Sequence, residues 1–212
     1  MPKIIGESLA SHRELTRTRL FEALGSLMAE QAFESITMSQ IAERAGVGRT
    51  AVYNHFADKE VLLLAYMRQV TEEFTRVLTA RLESEPDPLM RLRIYIRAHL
   101  QMIGRYHVKA GMGLRRQMSG QGASHLHDHA GVVGELLIGI LDEAMERGLI
   151  VEQNTLGAVH LIHATLQGQR LPKDPAHRES ALLLVETFIL RGLGASEDNV
   201  RHVTTYTLPA GE

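Results

Sequence analysis

Thr37-Met38-Ser39-Gln40-Ile41-Ala42-Glu43-Arg44-Ala45-Gly46-Val47-Gly48-Arg49-Thr50-Ala51-Val52-Tyr53-Asn54-His55-Phe56 is the stretch that decides the fold. Thr37 followed three residues later by Gln40 has the form of a capping box, so a helix starts there. Ile41, Ala42 and Ala45 give that helix an inward face, and Gly46 stands where a left-handed residue ends a helix. Val47 packs under the turn. A second short helix, Arg49 to Phe56, then sets Val52 and Phe56 on one side and Tyr53, Asn54 and His55 toward the other. Helix, tight turn and helix in this order form a helix-turn-helix. Small Ala42 allows the helices to cross closely, and the second helix keeps polar side chains free for a major groove.

The pattern extends on both sides of this unit. Leu20, Ala23, Leu24, Leu27 and Met28 recur at spacings of three and four and predict a helix over about His12 to Gln31, with Arg13, Arg17 and Arg19 on its other face. Asp58 is placed to cap a long helix whose apolar positions, Val61, Leu62, Ala65, Tyr66, Val70, Phe74, Val77 and Leu78, run to about Leu82. The prolines of Glu83-Ser84-Glu85-Pro86-Asp87-Pro88 close it and open another helix over Pro88 to His107. Glycines at 111, 113, 120 and 122 surround Leu114 to Met118 and predict a short helix in a mobile connection. Further helices are predicted over His127 to Arg147, Thr155 to Arg170 and Ala176 to Gly192. No stretch alternates as a strand does, so the expected fold class is all-α. The expected domains are a helix-turn-helix unit over 1–60 and a helical bundle over 61–212, with the tail after 195 disordered.

Residues Arg17 to Leu64 resemble the DNA-binding domain of the TetR family of bacterial transcriptional regulators. The family pattern appears without a gap as Thr37, Ile41-Ala42, Ala45-Gly46-Val47, Tyr53, Phe56 and Lys59-Glu60. The motif covers about the first quarter of the chain, and the remainder resembles the family by length and helical pattern. Gly48, Thr50 and Ala51 depart from the family's usual Ser, Gly and Thr. The resemblance implies that Thr37, Ser39, Tyr53, His55 and Lys59 hold phosphates; for Arg17, with Arg13 and Arg19, phosphate contact and an ordinary solvated face are equal readings. It implies that Gly48 opens the recognition helix, and that Arg49, Thr50 and Asn54 read bases, with Arg suited to guanine and Asn to adenine.

Composition bounds the alternatives. The chain has 212 residues, 44% hydrophobic and 23% charged, enough to bury a core. Net charge is −2, and residues 1–60 carry seven Lys/Arg against eight Asp/Glu, so any DNA footprint is local: Arg13, Arg17 and Arg19 with Arg49, His55 and Lys59. The absence of cysteine excludes disulfides and thiolate chemistry. With no signal-peptide pattern and no long apolar run, the expected location is cytoplasmic, with no membrane partner.

For the C-terminal bundle the expectation is an unknown small-molecule effector held by Phe74, Tyr95, His99, Met102, Tyr106, Met118, Leu137, Leu141 and His163. Plain core packing of these residues is an equal reading. Leu156, Val159, Ile162, Leu166, Leu182, Val185 and Ile189 offer more apolar surface than a small bundle needs. The resemblance implies that they form a homodimer interface, and two-fold symmetry then makes the operator in double-stranded DNA a palindrome. The expected function is a repressor released by its effector. Among the 11 histidines, His125, His127 and His129 with His99, His107, His160 and His163 raise the alternative of a metal-responsive regulator, or of a histidine-dependent metal hydrolase. No nucleophile elbow, phosphate loop or metalloprotease signature is present, so the chain is expected to be no enzyme, with no cofactor and no bound metal.

Overall fold

The structure, a computed structural model, describes the backbone of residues 3–106 and 120–206 and the side chains of residues 11–103 and 133–206. The described residues are all-helical. The order is α1 (Lys3–Glu30), a 3-10 turn (Phe33–Ser35), α2 (Met38–Ala45), α3 (Arg49–His55), α4 (Lys59–Glu83), α5 (Pro88–Tyr106), α6 (Gly120–Glu146), α7 (Thr155–Gln167), α8 (Pro175–Gly192) and α9 (Glu197–Thr205). The chain divides into two compact units, one of 1–70 with 106–126, the other of 71–105 with 127–212. The division therefore falls inside α4, ten residues beyond the boundary the sequence suggests.

The first unit is built around α1. Leu20, Ala23, Leu24 and Leu27 are buried as the three-and-four spacing predicts, with Ile36, Ile41, Ala42, Val52 and Phe56 from the helix-turn-helix and Leu62, Leu63, Tyr66 and Val70 from α4. Phe21 joins the aromatic centre, 5.7 Å from the Phe56 ring and 5.8 Å from that of Tyr66. A Cβ on Gly25 would lie 2.8 Å from the Tyr66 hydroxyl, so a side chain there would force the Tyr66 ring to shift. α1 begins at Lys3 and α6 at Gly120, both earlier than the periodicity indicates.

The second unit has one apolar core running from Phe74 through Leu89, Tyr95, Leu137, Ile162 and Leu182 to Val203. Two expectations are overturned here. Within the tail after 195, residues 197–205 form a helix: Ser196 caps α9 by accepting from the Asn199 N–H, and Val200 and Val203 are buried. The apolar set read as a dimer interface also needs revision. Val159, Ile162, Leu166, Leu182, Val185 and Ile189 are all buried within this chain's own core cluster and offer almost no surface; Leu156 alone of the set is exposed. The large apolar side chains left outside on α7 and α8 are Leu156, Leu161, Leu184 and Phe188.

Charge is buried in this unit as well. Arg93 and Glu186 are 3% and 0% exposed and paired at 2.9 Å, and Arg97 bridges Glu186 to Glu179. Arg93 also donates to the carbonyls of Val203, in the last turn of α9, and of Tyr206, just beyond its end, which have no partner within the helix. One guanidinium thus joins α5, α8 and the end of α9.

Candidate nucleic-acid interface

The helix-turn-helix is held by local chemistry. Thr37 Oγ1 accepts from the Gln40 N–H, and Gln40 Oε1 accepts from both the Thr37 N–H and its hydroxyl, which completes the capping box. Gly46 closes α2 at φ 65°, a left-handed conformation that costs an L side chain about 1 kcal/mol or more. Its N–H reaches the Ala42 and Glu43 carbonyls, and the Val47 N–H returns to Ala42 at 3.0 Å. Arg44 turns away from any ligand: it forks onto Glu30 at 2.8 Å and reaches Ser26 Oγ, pinning α2 to α1. The capping and closing bonds set where α3 begins.

α3 buries Val52 completely and exposes Arg49, Thr50, Tyr53 and Asn54. Four of the residues assigned to DNA therefore share one free, polar helix surface, and Tyr53 is 51% exposed. Gly48 precedes α3 at φ −66° with no side-chain cap, and its carbonyl accepts from the Ala51 N–H at 2.9 Å. Thr37 is exposed and Ser39 half-buried at the start of α2. The Thr37 hydroxyl proton is already given to Gln40, which leaves that side chain a capping part first.

Lys59 is the clear departure. Its ammonium donates to the carbonyls of Phe33, Glu34 and Ile36 at 3.2, 2.8 and 3.0 Å and stands 4.9 Å over the Phe33 ring. An ammonium has three protons, and all three are used within the protein. Lys59 fastens the 33–36 turn to the start of α4 instead of reaching out for a phosphate.

The two cationic groups of the sequence do come together, on a different set of residues. The Arg17 guanidinium lies 5.2 Å over Phe21, Phe21 packs on Phe56, and the His55 ring is 6.2 Å from Phe56. Arg17 Nε is buried with no hydrogen-bond partner. Burial, and then Arg13, Arg17 and His12, push the His55 pKa down against a smaller upward pull from Glu14. The corner where α1 meets the end of α3 is thus electropositive. Arg13, which is exposed, belongs to it although the motif does not mark it.

In the second unit, Tyr95, His99 and His163 form a group of near-parallel rings. Centroids are 5.8 Å apart for Tyr95 and His99, 6.2 Å for Tyr95 and His163, and 5.4 Å for the two histidines, with Phe74 edge-on to His99. Tyr95 Oη and His163 Nε2 share a hydrogen bond at 2.7 Å. Of the residues read as an effector site, Phe74, Leu137 and Leu141 are buried in the same core and Met102 packs against it. The side chains of Tyr106 and Met118, and of His125, His127 and His129, lie outside the described residues. Among the described residues no group of three His, Cys, Asp or Glu is arranged to hold a metal ion, and no helix is long and apolar enough to cross a membrane.

Comparison with known proteins agrees with the motif. Residues 20–66 match the family model of bacterial regulatory proteins, tetR family. An uncharacterised HTH-type transcriptional regulator of Mycobacterium tuberculosis is 30% identical over 94 residues, 44% of this chain and 46% of that protein, so the match spans about half the relative's length. The fold is similar to that of the fatty acid degradation regulator FadR from Bacillus halodurans, with TM-score 0.69 and 20% identity over 85% of this chain and 97% of that one. It is also similar to AibR, solved with isovaleryl coenzyme A and operator DNA, with TM-score 0.71 and 17% identity over 82% and 97%.

Proposed function

From the match of residues 20–66 to the tetR family model, we propose that the chain is a TetR-family regulator, a homodimeric transcriptional repressor. In this reading it binds a palindromic operator through α3 and is released when a small molecule occupies its second unit. The observation that carries the DNA-binding part is the exposure of Arg49, Thr50, Tyr53 and Asn54 on one short helix whose start is fixed by a capping box and a left-handed glycine. Arg49, Thr50 and Asn54 read base edges. Tyr53, Ser39, His55, Arg17 and Arg13 hold phosphates. Lys59 is left out of the contact set because its protons are already engaged.

The dimer forms through α7 and α8, which lie against each other and expose Leu161 at 72%, Leu184 at 71%, Phe188 at 64% and Leu156 at 60%. Large apolar side chains exposed at this level mark an interaction surface, and a second copy of the chain supplies the symmetry a palindrome needs. AibR is a fold relative that takes both a small molecule and DNA, which supports the effector reading. An effector shifts the population of spacings between the paired recognition helices, and α4, whose residues belong to both units, carries the change.

The test is selection of randomised duplex DNA by the full chain and sequencing of what is retained, for wild type, Arg49→Ala and Tyr53→Ala. A two-fold symmetric site that changes at a defined base with Arg49→Ala, and weakens evenly with Tyr53→Ala, is the expected result. No enrichment at low salt overturns it.

A further inference from the structure

His99 is the anomaly of the second unit. It is 8% exposed, sits among the rings of Tyr95, His163 and Phe74, and its Nδ1 is buried with no hydrogen-bond partner. A neutral imidazole has one donor and one acceptor nitrogen, and leaving one of them unpaired in a core is destabilising in either tautomer. Nearby polar groups do not relieve it, because the Tyr95 hydroxyl is committed to His163 at 2.7 Å. Buried polar atoms without partners are uncommon and point to a missing one.

We infer that the Tyr95–His99–His163 cluster is a binding site for an uncharged aromatic molecule bearing a hydroxyl group, held by a hydrogen bond to His99 Nδ1. The inference deepens the proposed function by naming the class of its effector, and to that extent rests on it. Each element of the class has its own reason. A hydroxyl can donate and accept, so it satisfies Nδ1 in either tautomer, which a carbonyl or an ammonium cannot. A flat ring continues an offset stack that already holds His99 and His163 at 5.4 Å and 19° and Tyr95 at 26°, with the Phe74 edge closing the other side.

Charge is excluded by what surrounds the rings. Burial, then His163, lowers the His99 pKa to about 3, and burial, then His160, lowers that of His163. Both rings are therefore neutral, and no arginine, lysine or carboxylate contributes to either shift. Arg93 and Arg97, on α5 beside Tyr95, are already paired with Glu186 and Glu179. An ionised ligand would enter a core with no free counter-charge to meet it. His163 is half-buried and one turn from the exposed His160, so solvent approaches the cluster on that side.

Phenol, toluene and benzoate, added to the full chain without DNA, test this by calorimetry and by the nitrogen resonances of the histidine rings. Phenol is expected to bind at least tenfold more tightly than toluene and to shift His99 Nδ1, while benzoate leaves the ring unmoved. His99→Phe keeps a flat ring and is expected to bind phenol and toluene equally. If that variant does not fold, the His99 resonance in wild type decides alone. Phenol binding no tighter than toluene, a wild-type response to benzoate equal to that with phenol, or retention of the phenol preference in His99→Phe overturns the inference. A chain that selects a palindrome but fails here loses only this inference. One that binds phenol at His99 but selects no DNA loses only the repressor reading.

Discussion

Arg93 on α5 donates 2.7 Å to the carbonyl of Val203, 110 positions along the chain, while its Nε pairs with the fully buried Glu186. A charge removed from water this thoroughly is stable only with all its partners. Replacing Arg93 by alanine leaves Glu186 with Arg97 alone and strips the end of α9 of its donor. Loss of one partner of a buried pair costs roughly 3–5 kcal/mol. Thermal unfolding of Arg93→Ala is expected to shift accordingly, and amide exchange in 197–205 to rise above that elsewhere in the unit. Replacing both partners by apolar residues, Arg93→Met with Glu186→Leu, is expected to cost less than the single change; a larger loss would refute this account.

Lys59 makes the opposite prediction to a DNA contact. With its ammonium on three carbonyls, Lys59→Ala removes the fastening of the 33–36 turn and is expected to lower stability by about 1–3 kcal/mol. A phosphate contact would instead reduce the slope of log affinity against log salt by about one on mutation. Salt titration of operator binding by a chain that is still folded separates the two, and an unchanged slope is expected.

These two residues mark what the sequence discloses and what it does not. The capping box, the left-handed Gly46 and the exposed polar face of α3 are legible because each depends on residues within a few positions. Lys59 is visible as a motif residue, but whether its ammonium meets phosphate or carbonyl depends on the 3-10 turn some 25 residues earlier. Val159, Ile162 and Val185 are legible as apolar, whereas their burial in this chain's own core depends on residues distant in the sequence. α9 escapes notice because two valines in a polar segment make no long apolar run, and the arginine that anchors it is over a hundred residues distant.

The homodimer prediction follows from that revised surface. Leu184 and Phe188 lie one turn apart on α8 and are 71% and 64% exposed. Changing either to glutamate is expected to leave the fold intact, since neither belongs to the chain's own core. Sedimentation velocity is expected to report a monomer, with loss of operator binding at concentrations where wild type binds. A dimer that survives Leu184→Glu with Phe188→Glu places the interface elsewhere.

At the corner of α1 and α3, His55 has its pKa lowered by burial and by Arg13, Arg17 and His12, with Glu14 opposing. A phosphate brought against this group favours the protonated ring, so binding takes up a proton. Operator affinity is therefore expected to rise as pH falls from 8 toward 6, and His55→Gln to flatten that rise. Arg13→Ala is expected to weaken binding about evenly across operator sequences, because phosphate contacts position without reading. Affinity that falls over this range would contradict the arrangement.

The last prediction concerns stability and His99. In the unfolded chain its imidazole takes up a proton near the ordinary histidine value of 6.5; in the folded chain it does so only at about 3. Below 6.5 the unfolded state therefore binds a proton that the folded state refuses. A folded pKa below the unfolded one means that the stability is fully present above 6.5 and is lost progressively as pH falls toward 3. At 1.36 kcal/mol per unit, the loss amounts to roughly 3 kcal/mol by pH 4 from this group alone. It begins well above the range in which unperturbed carboxylates titrate. His163, lowered in the same direction by burial and then His160, adds to it. Denaturant unfolding of wild type and His99→Phe at a series of pH values checks the claim: the decline between 6.5 and 4 is expected to be shallower in the variant. A decline of equal steepness in both would mean that His99 is protonated in the folded chain, and would remove the argument that its site excludes charge.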